Sequence, residues 1–240
     1  MTTGPTRFII LCHGRTGSTL FGSLLASHPA MAWGGEEFNA ARNWPGPGRL
    51  IYHLGRRYPL LRLNWLAWRQ RGKVYGCKLT PNYLRNLNRT IAQVHRHGWL
   101  LIHLQRRNTF HEAISGLVAK DTDFYQHFAD QTPRGPAALQ REIDPDRFLR
   151  RMKYCQRLAA METQALAGRP HMQVWYEDDL ADAVNWAAVA RRVFDALGLP
   201  SVPLQTNVRR TWERSYADII TNYAELVAVA RTAGYAHFLE

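Results

Sequence analysis

Five short apolar runs, separated by stretches of helical periodicity, constrain this chain more than any other feature of its sequence. They fall at residues 7–12, 31–33, 74–78, 100–105 and 172–176, each no longer than one buried strand. Helical patterns fit between them at residues 18–27, 82–96, 109–120, 146–166 and 185–197, the last closed by Gly198 and Pro200. Strands that alternate with helices predict a central parallel sheet covered on both faces and joined by right-handed crossovers, a three-layer α/β fold. No repeat, low-complexity tract or linker divides the 240 residues, so a single domain over 1–240 is expected. Ligands of such sheets bind beyond the carboxyl ends of the strands, and the loops there carry the functional reading.

Composition removes several classes. With 46% hydrophobic residues the chain has material for a core, which excludes disorder. No apolar run approaches the roughly 18 residues that a membrane-spanning helix needs. The five apolar residues that follow the N-terminal segment are too few for a secretory signal. Cys12, Cys77 and Cys155 are odd in number and lack metal-ligand spacing, so neither a disulfide framework nor a metal site is expected, and a cytoplasmic location is.

Charge is distributed unevenly. Residues 38–111 hold fourteen Arg and Lys and no Asp or Glu, while the rest of the chain is nearly balanced. The whole excess of the +12 net charge therefore lies in one segment, which will concentrate anions. Nucleic acid, anionic lipid, a nucleotide and an acidic glycan all satisfy that charge.

The loop after the first strand reads His13-Gly14-Arg15-Thr16-Gly17-Ser18-Thr19-Leu20. A buried strand, a tight glycine-containing turn and a helix opening on Ser-Thr form a phosphate cradle: backbone N–H groups converge on an anion and the helix dipole adds to the attraction. Against a nucleoside-triphosphate P-loop, Gly17 and Thr19 match, but Cys12 stands for the first Gly and Ser18 for the Lys. The nearest cation is Arg15, which favours an anionic tail shorter than a triphosphate. After the fourth strand come Arg106-Arg107-Asn108, and Ser115 follows Arg107 by eight residues, about two helical turns. Arg and Ser so spaced can grip one phosphate, and the planar guanidinium suits bidentate contact.

Together these two segments resemble the PAPS-dependent sulfotransferases, whose donor is 3′-phosphoadenosine 5′-phosphosulfate. The wording is closer to the bacterial and carbohydrate-type enzymes than to the cytosolic aryl type. Ser18-Thr19-Leu20-Phe21 with Leu24-Leu25-Ala26-Ser27-His28-Pro29, then Tyr176-Glu177-Asp178 and Asn222-Tyr223-Ala224-Glu225-Leu226, carry that likeness. The resemblance implies a P-loop-like three-layer fold with Arg15, Thr16, Gly17, Ser18, Thr19 and Leu20 on the 5′-phosphosulfate. It implies Arg107 and Ser115 on the 3′-phosphate, with PAP as the product and no metal. Gly14 departs from the family, which usually carries Pro there.

Sulfuryl transfer to a hydroxyl needs a group that takes the proton, and positive groups that meet charge on the peripheral oxygens. The segment Gly35-Glu36-Glu37-Phe38-Asn39, after the second strand, is similar to Gly-Glu-x-Phe segments of carbohydrate sulfotransferases, which implies Glu36 as the base. Glu37 reads either as catalytic or as a surface acid paired with an arginine. Lys78 ends the third strand and reads either as a catalytic cation beside Arg15 or as a surface residue. Arg209, Arg210 and Arg214 are similar to family residues that close over the 3′-phosphate, and Arg210 is the one assigned. His103 reads as a core histidine, and nothing requires His13.

Two other readings stand beside this one. A small-molecule kinase on a degenerate P-loop is opposed by Ser18 at the Lys position. A basic binding module for polyanions or membrane surfaces is suggested by Leu60, Leu61, Leu63, Trp65, Leu66 and Trp68 interleaved with Arg56, Arg57, Arg62, Arg69 and Arg71. Pro59 breaks any long helix there, and no nucleic-acid motif is present, so nucleic acid is not an expected partner. The same Trp-bearing stretch suits an acceptor hydroxyl on an anionic glycan or glycolipid, and it also suits a tyrosine in an acidic peptide.

Overall fold

In chain order the elements begin β1 (Arg7–Leu11), α1 (Ser18–Ala26), β2 (Met31–Glu36), α2 (Gly48–Arg57), α3 (Pro59–Arg69), β3 (Val74–Leu79), α4 (Leu87–Arg96) and β4 (Leu100–Gln105). They continue with α5 (Thr109–Thr122), β5 (His127–Phe128), α6 (Pro145–Leu166), β6 (Met172–Trp175), α7 (Trp186–Ala196), β7 (Val208–Arg209), α8 (Tyr216–Ile219) and α9 (Tyr223–Thr232). The structure, a computed structural model, describes residues 6–39, 48–125, 127–128, 140–209 and 215–239, with side chains for all but 48–52 and 127. Backbone packing divides the chain into two units, Met1–Gln105 with Leu158–Thr206 and Arg106–Arg157 with Asn207–Glu240.

The first unit is built on β1. From Phe8 to Leu11 it is apolar and buried throughout, and a strand with no polar face belongs in the middle of a sheet covered on both sides. The observed sheet has the order β2-β3-β1-β4-β6 with every pairing parallel. Strand side chains alternate between two cores. Phe8, Ile10 and Cys12, with Ile102, Leu104 and Val174, pack under α1 and α7. Ile9 and Leu11, with Tyr75, Cys77 and Leu79, pack under α3 and α4. Helices on both faces of a parallel sheet make the three layers expected from the sequence.

The boundaries follow local chemistry. α4 starts at Leu87 rather than at 82, because Pro81–Tyr83 form a separate 3₁₀ turn and the Asn86 side chain accepts the Arg89 N–H at 2.9 Å as the cap. Pro59 separates α2 from α3 and takes the first helical position, as its missing N–H favours.

The second unit combines helices with a short antiparallel pair, β5 with β7, and has its own core of Phe110, Ile114, Phe148, Met152, Ile219 and Leu226. Asn222 ties this unit together: its amide donates to the Ile143 carbonyl at 2.9 Å and its Oδ1 accepts the Ile143 N–H at 3.0 Å.

Close approach inside the sheet tests this packing. Gly76 lies opposite Phe8 in register, and a Cβ there would come 1.9 Å from the Phe8 ring. Gly76→Ala must displace a ring that is itself stacked on Trp33. We expect it to cost about 1–3 kcal/mol, as overpacking does. The check is a lower urea midpoint at unchanged slope, and a change under about 0.5 kcal/mol would show that the ring is not held.

Candidate active site

The carboxyl ends of β1, β2 and β3 bring three predicted residues together. Lys78, near the end of β3, sits between two partners: its Nζ is 3.1 Å from Glu36 Oε1 and donates to Ser18 Oγ at 3.2 Å. Ser18 opens α1 and is buried. A chain of polar contacts therefore joins the end of β2, the end of β3 and the start of α1.

Glu36 reaches this position through an irregularity in β2. Trp33 pairs with Gly76, but Glu36 pairs with Lys78, so three steps on β2 oppose two on β3. The extra residue is a bulge, a device that re-aims side chains near strand ends. The sequence reading places Glu36 after the strand; the structure makes it the last residue of β2, because the bulge lets pairing continue past Gly34 and Gly35. Asn39 Nδ2 donates to Glu36 Oε2 at 2.8 Å and Thr80 Oγ1 to Oε1 at 3.1 Å. Burial pushes the Glu36 carboxyl up, but the Lys78 charge and the bonds from Lys78, Asn39 and Thr80 outweigh it and hold the group below its ordinary 4.5.

Glu37 is different. It is buried, its Oε2 accepts from Arg62 at 3.2 Å, and its Oε1 accepts from the Tyr75 hydroxyl at 3.4 Å. The pairing with an arginine is present, but a surface position is not: Glu37 is a packed acid of the α3 side of the sheet.

The loop after β1 has the form of an anion cradle. Arg15 (φ +75°) and Gly17 (φ +87°) both have left-handed backbone, on either side of a buried Thr16 whose hydroxyl donates to the His13 carbonyl at 3.1 Å. A non-glycine residue held so is strained and persists only where its surroundings impose it. No side chain caps α1 at Gly17 and no acid lies in its first turn, so the N-terminal dipole stays available to an anion. Gly17 is required twice over, by its φ and because a Cβ would come 2.6 Å from the Tyr176 ring, the first residue of the Tyr-Glu-Asp segment. Gly14 is not so constrained: a Cβ there meets nothing within 4 Å.

Behind this loop His103 is the core histidine that the sequence suggests, but its partner is a residue that the sequence reading passed over. Glu162, on α6, is completely buried. His13 Nδ1 lies 2.9 Å from its Oε1, and His103 Nε2, from β4, lies 3.4 Å from its Oε2. The signal was a single acid in the buried stripe Leu158, Glu162, Ala165, Leu166, which a helix cannot place in a core without partners. Histidines and glutamate are 149 and 59 residues apart, so no local pattern links them.

Other predicted residues fall elsewhere. Thr19 and Leu20 are half-buried on the first turn of α1. In the second unit Arg107 is exposed, Asn108 caps α5 by accepting the His111 N–H at 2.7 Å, and Ser115 is buried on α5. Arg210 and Arg214 lie outside the described residues, as do residues 40–47 of the basic segment. All three cysteines are buried and free, and burial pushes the Cys12 thiol beneath the cradle up to about 12, so it is a thiol at neutral pH. Among the described residues no group of three or more His, Cys, Asp or Glu side chains could hold a metal ion. Nor is any helix among them long and apolar enough to cross a membrane.

Comparison with known proteins adds the following. The crystal structure of a sulfotransferase from Alicyclobacillus acidocaldarius matches over 98% of this chain and 99% of its own, at 15% identity and a TM-score of 0.49. The sulfotransferase domain of a Synechococcus olefin synthase matches over 92% of this chain and 83% of its own, at 17% identity and a TM-score of 0.45. Nodulation protein H of Rhizobium tropici is 23% identical over 239 residues, covering 98% of this chain and 94% of that protein. No protein-family model matches the chain.

The buried cluster gives a direct test. Glu162→Ala removes the carboxylate that both the His13 and His103 rings face, and a buried donor that loses its acceptor costs about 1–3 kcal/mol. Chemical denaturation should show that loss, with part of it recovered when His13→Leu and His103→Leu are added. A loss below about 1 kcal/mol would mean that water, not Glu162, satisfies the histidines.

Proposed function

We propose that this chain is a sulfotransferase that moves the sulfuryl group of PAPS to an acceptor hydroxyl on a carbohydrate or glycolipid, with Glu36 as general base. The observation that carries it is the contact chain Glu36–Lys78–Ser18, which joins a base, a cation and the mouth of an anion cradle. Ser18 stands where a nucleoside-triphosphate P-loop carries its Lys, and the Lys78 ammonium reaches that place from the neighbouring strand.

In this reading Arg15, Thr16, Gly17, Ser18, Thr19 and Leu20 receive the 5′-phosphosulfate, and Arg107, Ser115 and Arg210 serve the 3′-phosphate. The whole chain acts as one sulfotransferase domain, in the cytoplasm and without metal. Glu36 takes the proton as the acceptor oxygen bonds to sulfur; the bond between sulfur and the phosphate oxygen breaks, and PAP leaves. Lys78 and Arg15 meet the charge on the peripheral sulfuryl oxygens. Lys78 serves two partners in turn. As its ammonium is drawn to the donor, Glu36 loses the ion pair that lowers its basicity and becomes a better base when the acceptor is in place. An anionic glycan or glycolipid acceptor and a contact with a membrane surface suit the basic segment.

Glu36→Gln should leave donor binding intact and lower turnover by roughly 100- to 10,000-fold. In the wild type the acid limb of kcat/KM, which reports the free enzyme, should lie below pH 4.5, since a lowered carboxylate is lost only as pH falls through its own value. The limb of kcat should lie at higher pH. Near-normal turnover in Glu36→Gln would overturn the assignment.

The donor is tested by ligand-dependent melting. Saturation with 3′,5′-ADP at 100 times its Kd stabilises a fold by about 2.7 kcal/mol, roughly 5–10 °C here, and ATP with magnesium should do far less. Arg107→Ala and Ser115→Ala should each weaken 3′,5′-ADP about 10- to 100-fold and leave adenosine 5′-phosphosulfate unchanged. Preference for ATP would favour the kinase reading, and an equal loss for both ligands would remove Arg107 and Ser115 from the 3′ site.

A further inference from the structure

Helix α3 divides its apolar residues between two faces. Leu63 is buried and Leu60, Leu66 and Ala67 pack with it on the core beneath the sheet. The opposite face carries Leu61, Trp65 and Trp68, spaced i, i+4, i+7 and exposed by 67%, 49% and 56%. Leu54, on α2, and Tyr58, at the cap before α3, are half exposed as well. Five of the eight large apolar side chains exposed among the described residues thus come from fifteen consecutive positions. An outward face of a surface helix is ordinarily polar, and a grouped apolar one marks a contact.

The charges around it say what kind of contact. Guanidinium groups lie over the exposed rings: Arg57 over Tyr58 at 5.7 Å, Arg69 over Trp65 at 4.9 Å and Arg71 over Trp68 at 4.4 Å. Arg57, Arg69, Arg71 and Lys73 are exposed, and no acid occurs anywhere in residues 38–111. A second copy of this face would set cation against cation. A soluble glycan or polyanion would employ the arginines and rings but leave Leu54 and Leu61 in water. A lipid surface uses all of them: leucines enter the acyl boundary, Trp and Tyr rings sit at headgroup level, and the arginines meet anionic headgroups.

We infer that the outward face of α3, with Leu54 and Tyr58, seats this protein on anionic membrane surface. This assigns residues and a lipid class to the membrane contact proposed above, and it holds whether or not the acceptor is a glycolipid. Seated so, the protein lies on the surface and does not span it.

The test is co-sedimentation of the whole chain with vesicles. Vesicles of equal parts phosphatidylcholine and phosphatidylglycerol should carry the protein down, vesicles of phosphatidylcholine alone should not, and added salt should release it. Trp65→Ser with Trp68→Ser should weaken binding about tenfold or more, and so should Leu61→Ser. Both variants should keep the wild-type melting temperature and its rise with 3′,5′-ADP, which separates failure here from failure of the donor reading. Absence of wild-type binding to the anionic vesicles would overturn the inference. So would serine variants that bind like wild type, which would leave only a polyanion site. A wild-type dimer that the serine variants split, with vesicle binding unchanged, would assign the face to a second copy.

Discussion

One ammonium group organises the candidate site. Lys78 extends from a buried strand with little access to water, and such a charge is tolerated only with partners. It finds Glu36 on one side and Ser18 on the other, so the charge that stabilises the carboxylate is also the charge at the cradle. The first of these contacts depends on the bulge in β2, which brings Glu36 into register with Lys78. A ladder continued without the extra residue would send Glu36 to the other face of the sheet.

The cradle depends in turn on what lies behind it. Left-handed backbone at Arg15 is costly for an L-residue, and the loop is held from several sides. The Tyr176 ring packs on Gly17, Thr16 bonds back to the His13 carbonyl, and the His13 ring is tied to Glu162. These contacts come from the turn after β6, the loop itself and α6, so two distant parts of the chain help to fix one turn. A loop fixed in advance would lose little freedom on binding an anion.

The basic segment serves two ends at once. Arg62 turns inward to Glu37, whereas Arg57, Arg69 and Arg71 remain at the surface beside exposed rings. Net charge treats these arginines alike; the fold separates one that neutralises a buried acid from those that give the surface its field.

Much of the fold was legible in the sequence because its signals are local. Apolar runs of strand length mark the sheet, Gly17 before Ser18 marks the start of α1, and Pro59 marks the break between α2 and α3. The resemblance also singled out Arg15 through Leu20 and Glu36 by motif, and strand position singled out Lys78. What the sequence could not show is which side chains meet. Glu36 and Glu37 are adjacent acids in the chain, yet one faces Lys78 and the other Arg62, because a bulge and strand alternation send them apart. Glu162 finds its histidines only when the end of α6 packs against the strands. Leu61 and Leu63 read alike, but only packing puts one in water and the other in the core. Periodicity, caps and turns are set by neighbours along the chain; burial and pairing are set by neighbours in space, which the fold alone selects.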